Sequence, residues 1–97
     1  IDGPTEEIMS IEPFEDKWKA FGFDTKVING HDYNELLDTF ENLPPPDSDK
    51  PTAIICNTIK GRGVSFMQNI TKWHYGGLDE ETEKTAISDI EEIIGKA

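Results

Sequence analysis

The run TAIICNT, residues 52–58, is almost continuously apolar. A strand without alternation suits a position covered on both faces, as in a parallel sheet, rather than the half-wet strand of an antiparallel one. Parallel neighbours need a crossover between them, and the preceding sequence supplies one. DTKVING, residues 24–30, reads as a short strand over Lys26–Ile28 closed by a turn at Asn29-Gly30. YNELLDTFENL, residues 33–43, then reads as a helix. Asp32 is placed to cap it, and Leu36, Leu37, Phe40 and Leu43 form its expected buried face. PPPDSDKP, residues 44–51, is a polar, proline-rich loop that cannot continue a helix.

The flanking segments extend this alternation. Thr5 is placed to cap a short helix with Glu6 and Glu7 in its first turn. Pro13 is expected to start a second helix, with Phe14, Trp18 and Phe21 on one stripe and Gly22 as its stop. Asp79 is placed to cap a closing helix whose apolar stripe is Ala86, Ile87, Ile90, Ile93 and Ile94, with Gly95 near its end. Residues 60–78 follow no period and read as a long loop. Helix and strand alternating in this order predict an α/β fold with a parallel sheet. Two strands are too few to stand alone in water, so other segments or chains are expected to complete the sheet.

Composition narrows the function. The 97 residues carry 20 acids against 9 bases, a net charge of −11. So negative a surface repels nucleic acid and anionic lipid, and neither is an expected partner. No apolar run is long enough to span a membrane, and no signal peptide is visible. Cys56 stands alone in the apolar run and is expected to be a small core residue. A buried free thiol points to a reducing, cytoplasmic setting. The chain opens on IDGPTEE without a methionine, which reads as a fragment, a processed chain or one part of a divided protein.

The acids are not spread evenly. Thirteen lie at or before Asp49 and seven at or after Asp79. Residues 50–78 hold Lys50, Lys60, Arg62 and Lys72 with no carboxylate, so the remainder of the chain sums to −15. Two readings stand side by side: an anion site, or a solvated basic loop balancing an acidic body. Gly61 and Gly63 let backbone amides approach a ligand, and the loop follows the carboxyl end of a strand, where open α/β sheets bind ligands. The string KGRG is neither a Walker loop nor GxGxxG. His74, between Trp73 and Tyr75, is able to shuttle protons or meet phosphate, or simply to stack on its neighbours. His31, in NGHD, reads as a turn residue. No second His or Cys lies at zinc spacing, so no metal ligand is assigned.

Taken in order, IDGPTEE, DKWKAFGF, VINGHDYNELL, KPTAIICNTIKGRGVSFM and KWHYGGLDEE resemble the transketolases. They are most similar to the separate N-terminal subunits of split transketolases. The resemblance covers nearly the whole chain. It implies that residues 1–97 form the C-terminal portion of the PP domain, the domain that binds the diphosphate of thiamine diphosphate. It implies that Lys60 faces that diphosphate, that Ile59 and Ile1 lie against the cofactor, and that His74 contacts both the diphosphate and the reacting end of the sugar. Tyr75 stands where the family commonly has a small residue. The implied reaction moves a two-carbon ketol unit from a ketose phosphate to an aldose phosphate. The family's Gly-Asp-Gly motif and its metal-binding asparagine are absent here, so the Mg or Ca ligands are expected outside this chain. The glutamate that activates the coenzyme belongs to the pyrimidine-binding domain. The implied partners are therefore the remaining PP-domain segment and the pyrimidine-binding, C-terminal subunit, in a hetero-oligomer acting on sugar phosphates. Related readings are a deoxyxylulose-phosphate synthase or dihydroxyacetone synthase, a non-catalytic assembly module of such a complex, or an acidic scaffolding domain without a ligand.

Overall fold

A computed structural model describes residues 1–96. The elements run α1 (Thr5–Ile8), α2 (Phe14–Ala20), β1 (Asp24–Asn29), α3 (Tyr33–Glu41), β2 (Thr52–Asn57), a 3-10 turn (Thr71–His74) and α4 (Glu80–Gly95). They fall into two compact units, Met9–Thr58 and Ile1–Ile8 with the residues from Ile59 onward.

The unit Met9–Thr58 is the α/β piece that the alternation predicts. Strands β1 and β2 pair in parallel, from Asp24 opposite Thr52 to Asn29 opposite Asn57, and α3 is the crossover between them. β1 is longer than Lys26–Ile28 because the pairing extends to both its ends. The turn after β1 is a small hydrogen-bonded knot. The His31 amide donates to Asn29 Oδ1 at 3.0 Å, and the Asn29 amide donates to Glu35 Oε2 at 2.7 Å. Asp32 caps α3 as expected, accepting from the amides of Asn34 and Glu35. Gly30 is required by crowding. A Cβ there would lie 2.6 Å from Thr58 Cγ2 and 2.9 Å from Cys56 Cβ.

α2 starts after Pro13 and ends as Gly22 predicts. The Gly22 amide donates to Lys19 O and the Phe23 amide to Trp18 O, with Gly22 at φ +90°. These are the paired bonds of a Schellman ending, which needs a left-handed residue at that place. Trp18 then stands edge-on to Phe14 and to Phe23, with centroids 5.8 and 4.8 Å apart. The stripe differs from expectation at Phe21, which is 82% exposed; Phe23 takes its place because the Schellman turn folds Phe23 back over the helix.

Burial is much thinner than the apolar pattern predicts. Among the described residues the buried ones are Val64, Ala86 and Thr39. On α3, Leu36 is half-buried while Leu37, Phe40 and Leu43 are exposed. Cys56 is exposed, not a core residue. Ile54 and Ile55 of β2 are only half-buried. The reason is common to all: a two-stranded sheet with one crossover helix offers too little surface to cover both faces of β2.

In the second unit, α1 begins at Thr5 itself, so Thr5 opens the helix rather than capping it. α4 carries a capping box. Asp79 Oδ1 accepts from the Thr82 amide at 2.8 Å, and Thr82 Oγ1 accepts from the Asp79 amide at 2.9 Å. Of its stripe only Ala86 is buried; Ile87, Ile90, Ile93 and Ile94 are exposed. The loop predicted over 60–78 is organised by tight turns and by the 3-10 turn at Thr71–His74.

Hydrogen bonds from the Thr82 hydroxyl and amide hold the Asp79 carboxyl below the usual carboxylate range. A carboxyl depressed in the folded state adds stability above its unfolded pKa, and that contribution is lost as pH falls through the folded value. In a peptide spanning residues 78–96, Asp79→Ala is expected to lower helicity, measured by circular dichroism at neutral pH. The gap between the two peptides should shrink as pH falls below about 4.

Candidate functional site

The carboxylate-free stretch folds mostly within the second unit, as a chain of overlapping turns from Ile59 to Trp73. The amide of Arg62 donates to Ile59 O, Val64 to Gly61 O, Met67 and Gln68 to Val64 O, and Ile70 to Met67 O. The turn closes on itself where the Asn69 amide donates to Lys60 O at 2.9 Å. From there Ile70 leads into the 3-10 turn, whose Trp73 amide donates back to Ile70 O. The closure sets Lys60 beside Asn69, one short turn ahead of His74.

Two glycines make this possible. Gly61 has φ +70° and Gly63 φ +96°, both in the left-handed region. Gly61 is also crowded: a Cβ would lie 2.5 Å from the Met67 carbonyl oxygen. A Cβ on Gly63 would meet only Ile93 Cδ1, at 3.6 Å. Asn69 too is left-handed, at φ +57°, a conformation asparagine tolerates better than most side chains. Val64, between the glycines and Ser65, is buried.

The glycines alternate with the cations. Lys60 and Arg62 are exposed, and among the described residues neither enters an ion pair, the pairs being Glu15–Lys19, Glu80–Lys84 and Glu92–Lys96. Lys72 Nζ lies 5.3 Å from the Trp73 ring centroid. Trp73 packs on Phe66 at 5.2 Å between centroids, and its buried indole Nε1 has no hydrogen-bond partner among the described residues. His74 ends the 3-10 turn with its side chain exposed. Ile59 is half-buried, whereas Ile1 is 80% exposed. All four residues predicted for the site, Ile1, Ile59, Lys60 and His74, belong to this one unit. The backbone closure brings Lys60 to the segment that carries His74; Ile1 is placed against little of the described chain.

One contact has no counterpart in the sequence reading. Asp89 of α4 accepts from Ser65 twice, from its amide at 2.8 Å and its hydroxyl at 2.7 Å. The hydroxyl bond first and the amide bond second hold the Asp89 carboxyl below the usual carboxylate range. Its one sequence signal is an acid lying inside the helical stripe of Ala86, Ile90 and Ile93. Beside it a hollow of about 330 Å³ opens between Arg62, Gln68, Asp89 and Glu92. Two carboxylates and one guanidinium border it, so the hollow itself has no net positive charge. No group of three or more His, Cys, Asp and Glu able to hold a metal occurs among the described residues, and no helix among them is long and apolar enough to cross a membrane.

No protein-family model matches the chain. Individual relatives do. The chain is 40% identical over 96 residues to a subunit of the apulose-4-phosphate transketolase of Phocaeicola vulgatus, covering 99% of this chain and 34% of that one. It is 42% identical over 91 residues to the 6-deoxy-6-sulfo-D-fructose transketolase subunit SqwG of a Clostridium species, covering 94% and 33%. The chain belongs to the transketolase family. It is also 38% identical over 91 residues to transketolase-like protein 2 of Mus musculus, covering 94% of this chain and 14% of that one. The chain thus spans about a third of the length of the two transketolase subunits it matches. What this transketolase segment presents to solvent is a self-closed cationic turn, free of carboxylates, followed along the chain by an exposed imidazole.

The closure rests on Gly61. Gly61→Ala is expected to destabilise the protein by about 2 kcal/mol or more, the sum of a left-handed alanine and a backbone clash, measured by chemical denaturation. Gly63→Ala, which meets only ordinary packing beyond its φ cost, should lose about 1 kcal/mol.

Proposed function

We propose that this chain is the C-terminal portion of the PP domain of a thiamine-diphosphate-dependent transketolase, and that its cationic turn holds the coenzyme's diphosphate. The observation that carries this reading is the closed turn at Lys60. It is glycine-hinged, lacks carboxylates and has cations outside the ion pairs of the described residues, in a chain otherwise of strong negative charge. The donor set suits a diphosphate. Lys60 and Arg62 supply charge, and the exposed His74 is a further donor one turn away. Ile59 and Ile1 would give apolar cover to the coenzyme.

The coenzyme, when bound, supplies the electron sink for breaking and making a carbon–carbon bond next to a carbonyl. This chain's own residues do the rest of what is assigned to it. Lys60 neutralises phosphate charge and fixes the coenzyme's position. His74 hydrogen-bonds the donor sugar's hydroxyl or developing oxyanion and moves the proton at that oxygen. The reaction is the transfer of a two-carbon ketol unit from a ketose phosphate to an aldose phosphate, in the cytoplasm. The curated relatives carry the names of different sugars, apulose 4-phosphate and 6-deoxy-6-sulfo-D-fructose, so the donor is assigned by class, as a ketose phosphate, and not by name. The Mg or Ca ligands and the pyrimidine-binding domain belong to partner segments of a hetero-oligomer. The apolar side chains left uncovered on α3 and α4 support an assembly of that kind.

The test uses the assembled enzyme. Lys60→Ala is expected to weaken thiamine diphosphate binding roughly 10- to 100-fold, the loss of one charge-assisted hydrogen bond in calorimetric titration. His74→Ala is expected to lower kcat by about 10²-fold or more with unchanged assembly. Coenzyme affinity unaltered by Lys60→Ala, together with full turnover by His74→Ala, would return the turn to a solvated basic loop.

A further inference from the structure

We propose that Asp89 is a positioning residue for the cationic turn, fixing through Ser65 the backbone that presents Lys60 and Arg62. The inference rests on the diphosphate reading given above, but it comes from a different set of contacts. The turn from Lys60 to Asn69 is closed at its base by the Asn69 amide on Lys60 O. That closure and the turn's internal bonds set its own shape, and they do not tie it to α4. Ser65 lies within the turn, and there Asp89 grips both its amide and its hydroxyl. Two bonds from one residue to one carboxylate oxygen fix orientation as well as position, and a carboxylate acceptor makes each stronger than a neutral pair.

The anchor is rigid. Asp89 sits in the third turn of a capped sixteen-residue helix, flanked on the same face by the buried Ala86 and by Ile93, whose Cδ1 lies where Gly63 comes closest to α4. Ile93 therefore approaches the turn about one helical turn beyond the hydrogen bonds. The charge is also directed. Asp89 borders the same hollow as Arg62, yet the two form no ion pair among those found in the described residues. One oxygen of the carboxylate, Oδ2, takes both Ser65 donors. A carboxylate placed within the turn itself would have neutralised the cations. Reaching in from α4, Asp89 ends on Ser65, a residue of the turn without charge.

The experiment again uses the assembled enzyme and has two readouts: affinity for thiamine diphosphate by calorimetry, and hydrogen exchange of amides 60–69 by mass spectrometry. Asp89→Ala is expected to speed exchange in the turn and to weaken binding about tenfold, the scale of a lost hydrogen bond to a charged group. The apparent KM for the coenzyme should rise while kcat at saturating coenzyme is retained. Ser65→Ala, which removes the hydroxyl bond and keeps the amide bond, should show a smaller effect of the same kind, and the double variant should be no worse than Asp89→Ala, because the hydroxyl acts through that carboxylate alone. Asp89→Asn, which keeps an acceptor oxygen, should recover most of the affinity. Affinity within twofold of the parent in Asp89→Ala, or losses that multiply in the double variant, overturns the positioning role. Lys60→Ala separates the two ideas. If Lys60→Ala weakens binding and Asp89→Ala does not, the positioning role alone falls. If Lys60→Ala leaves binding intact, the diphosphate reading falls and the tenfold effect assigned to Asp89 falls with it.

Discussion

Apolar surface without cover is the constraint to which the structure answers throughout. Leu37, Phe40, Ile87, Ile90 and Ile94 are each about half or more exposed, and burial of such side chains is ordinarily the largest favourable term in folding. With so little of it available, the shape of this chain is written mainly in hydrogen bonds. Asp32 and Asp79 start two helices, a Schellman turn at Gly22 ends another, and a parallel ladder sets two strands in register. These devices act over a few residues each. They define where elements begin and end without deciding what lies against their faces.

The same economy shapes the cationic turn. Its form comes from backbone closure between Lys60 and Asn69, from glycines at left-handed positions, and from one buried valine. None of these uses the charged side chains. Lys60 and Arg62 carry no structural duty among the described residues and are held exposed on a frame that stands without them. A turn whose cations were consumed in internal ion pairs would have no charge left for a ligand, and desolvating them later would cost more than it returned. Exclusion of carboxylates from residues 50–78 is the sequence-level form of that requirement.

How much of this was legible in the sequence follows from the range of each interaction. Caps and stops were, because Asp32, Asp79 and Gly22 act on amides and carbonyls within five residues of themselves. The parallel pairing was, since TAIICN has the unbroken apolar run of a strand meant for cover on both faces. The burial of particular side chains was not. A stripe such as Leu37, Phe40 and Leu43 states which face is apolar, and only the rest of the fold states whether anything covers it. Cys56 shows the same limit, for its apolar neighbours made it a core residue and the strand leaves it exposed. In the site, the cations and glycines were readable as a local pattern. The Ser65–Asp89 tie joins residues 24 apart in sequence, and its only trace was an acid in an otherwise apolar stripe. The 3-10 turn at Thr71–His74 left no periodic signal, being too short to show one.

The indole of Trp73 bears on why His74 is placed as it is. A buried N–H without an acceptor costs about 1–3 kcal/mol relative to one that is paired. Trp73 Nε1 is such a group among the described residues, although Phe66 covers the ring and Lys72 lies over it. Packing on Phe66 therefore fixes the ring. The gain is orientation: with the indole fixed on Phe66 and its amide bonded to Ile70, the next residue has little freedom in its backbone. His74 ends the 3-10 turn with its side chain exposed to solvent. An exposed imidazole beside a packed neighbour keeps its polar edge open to solvent.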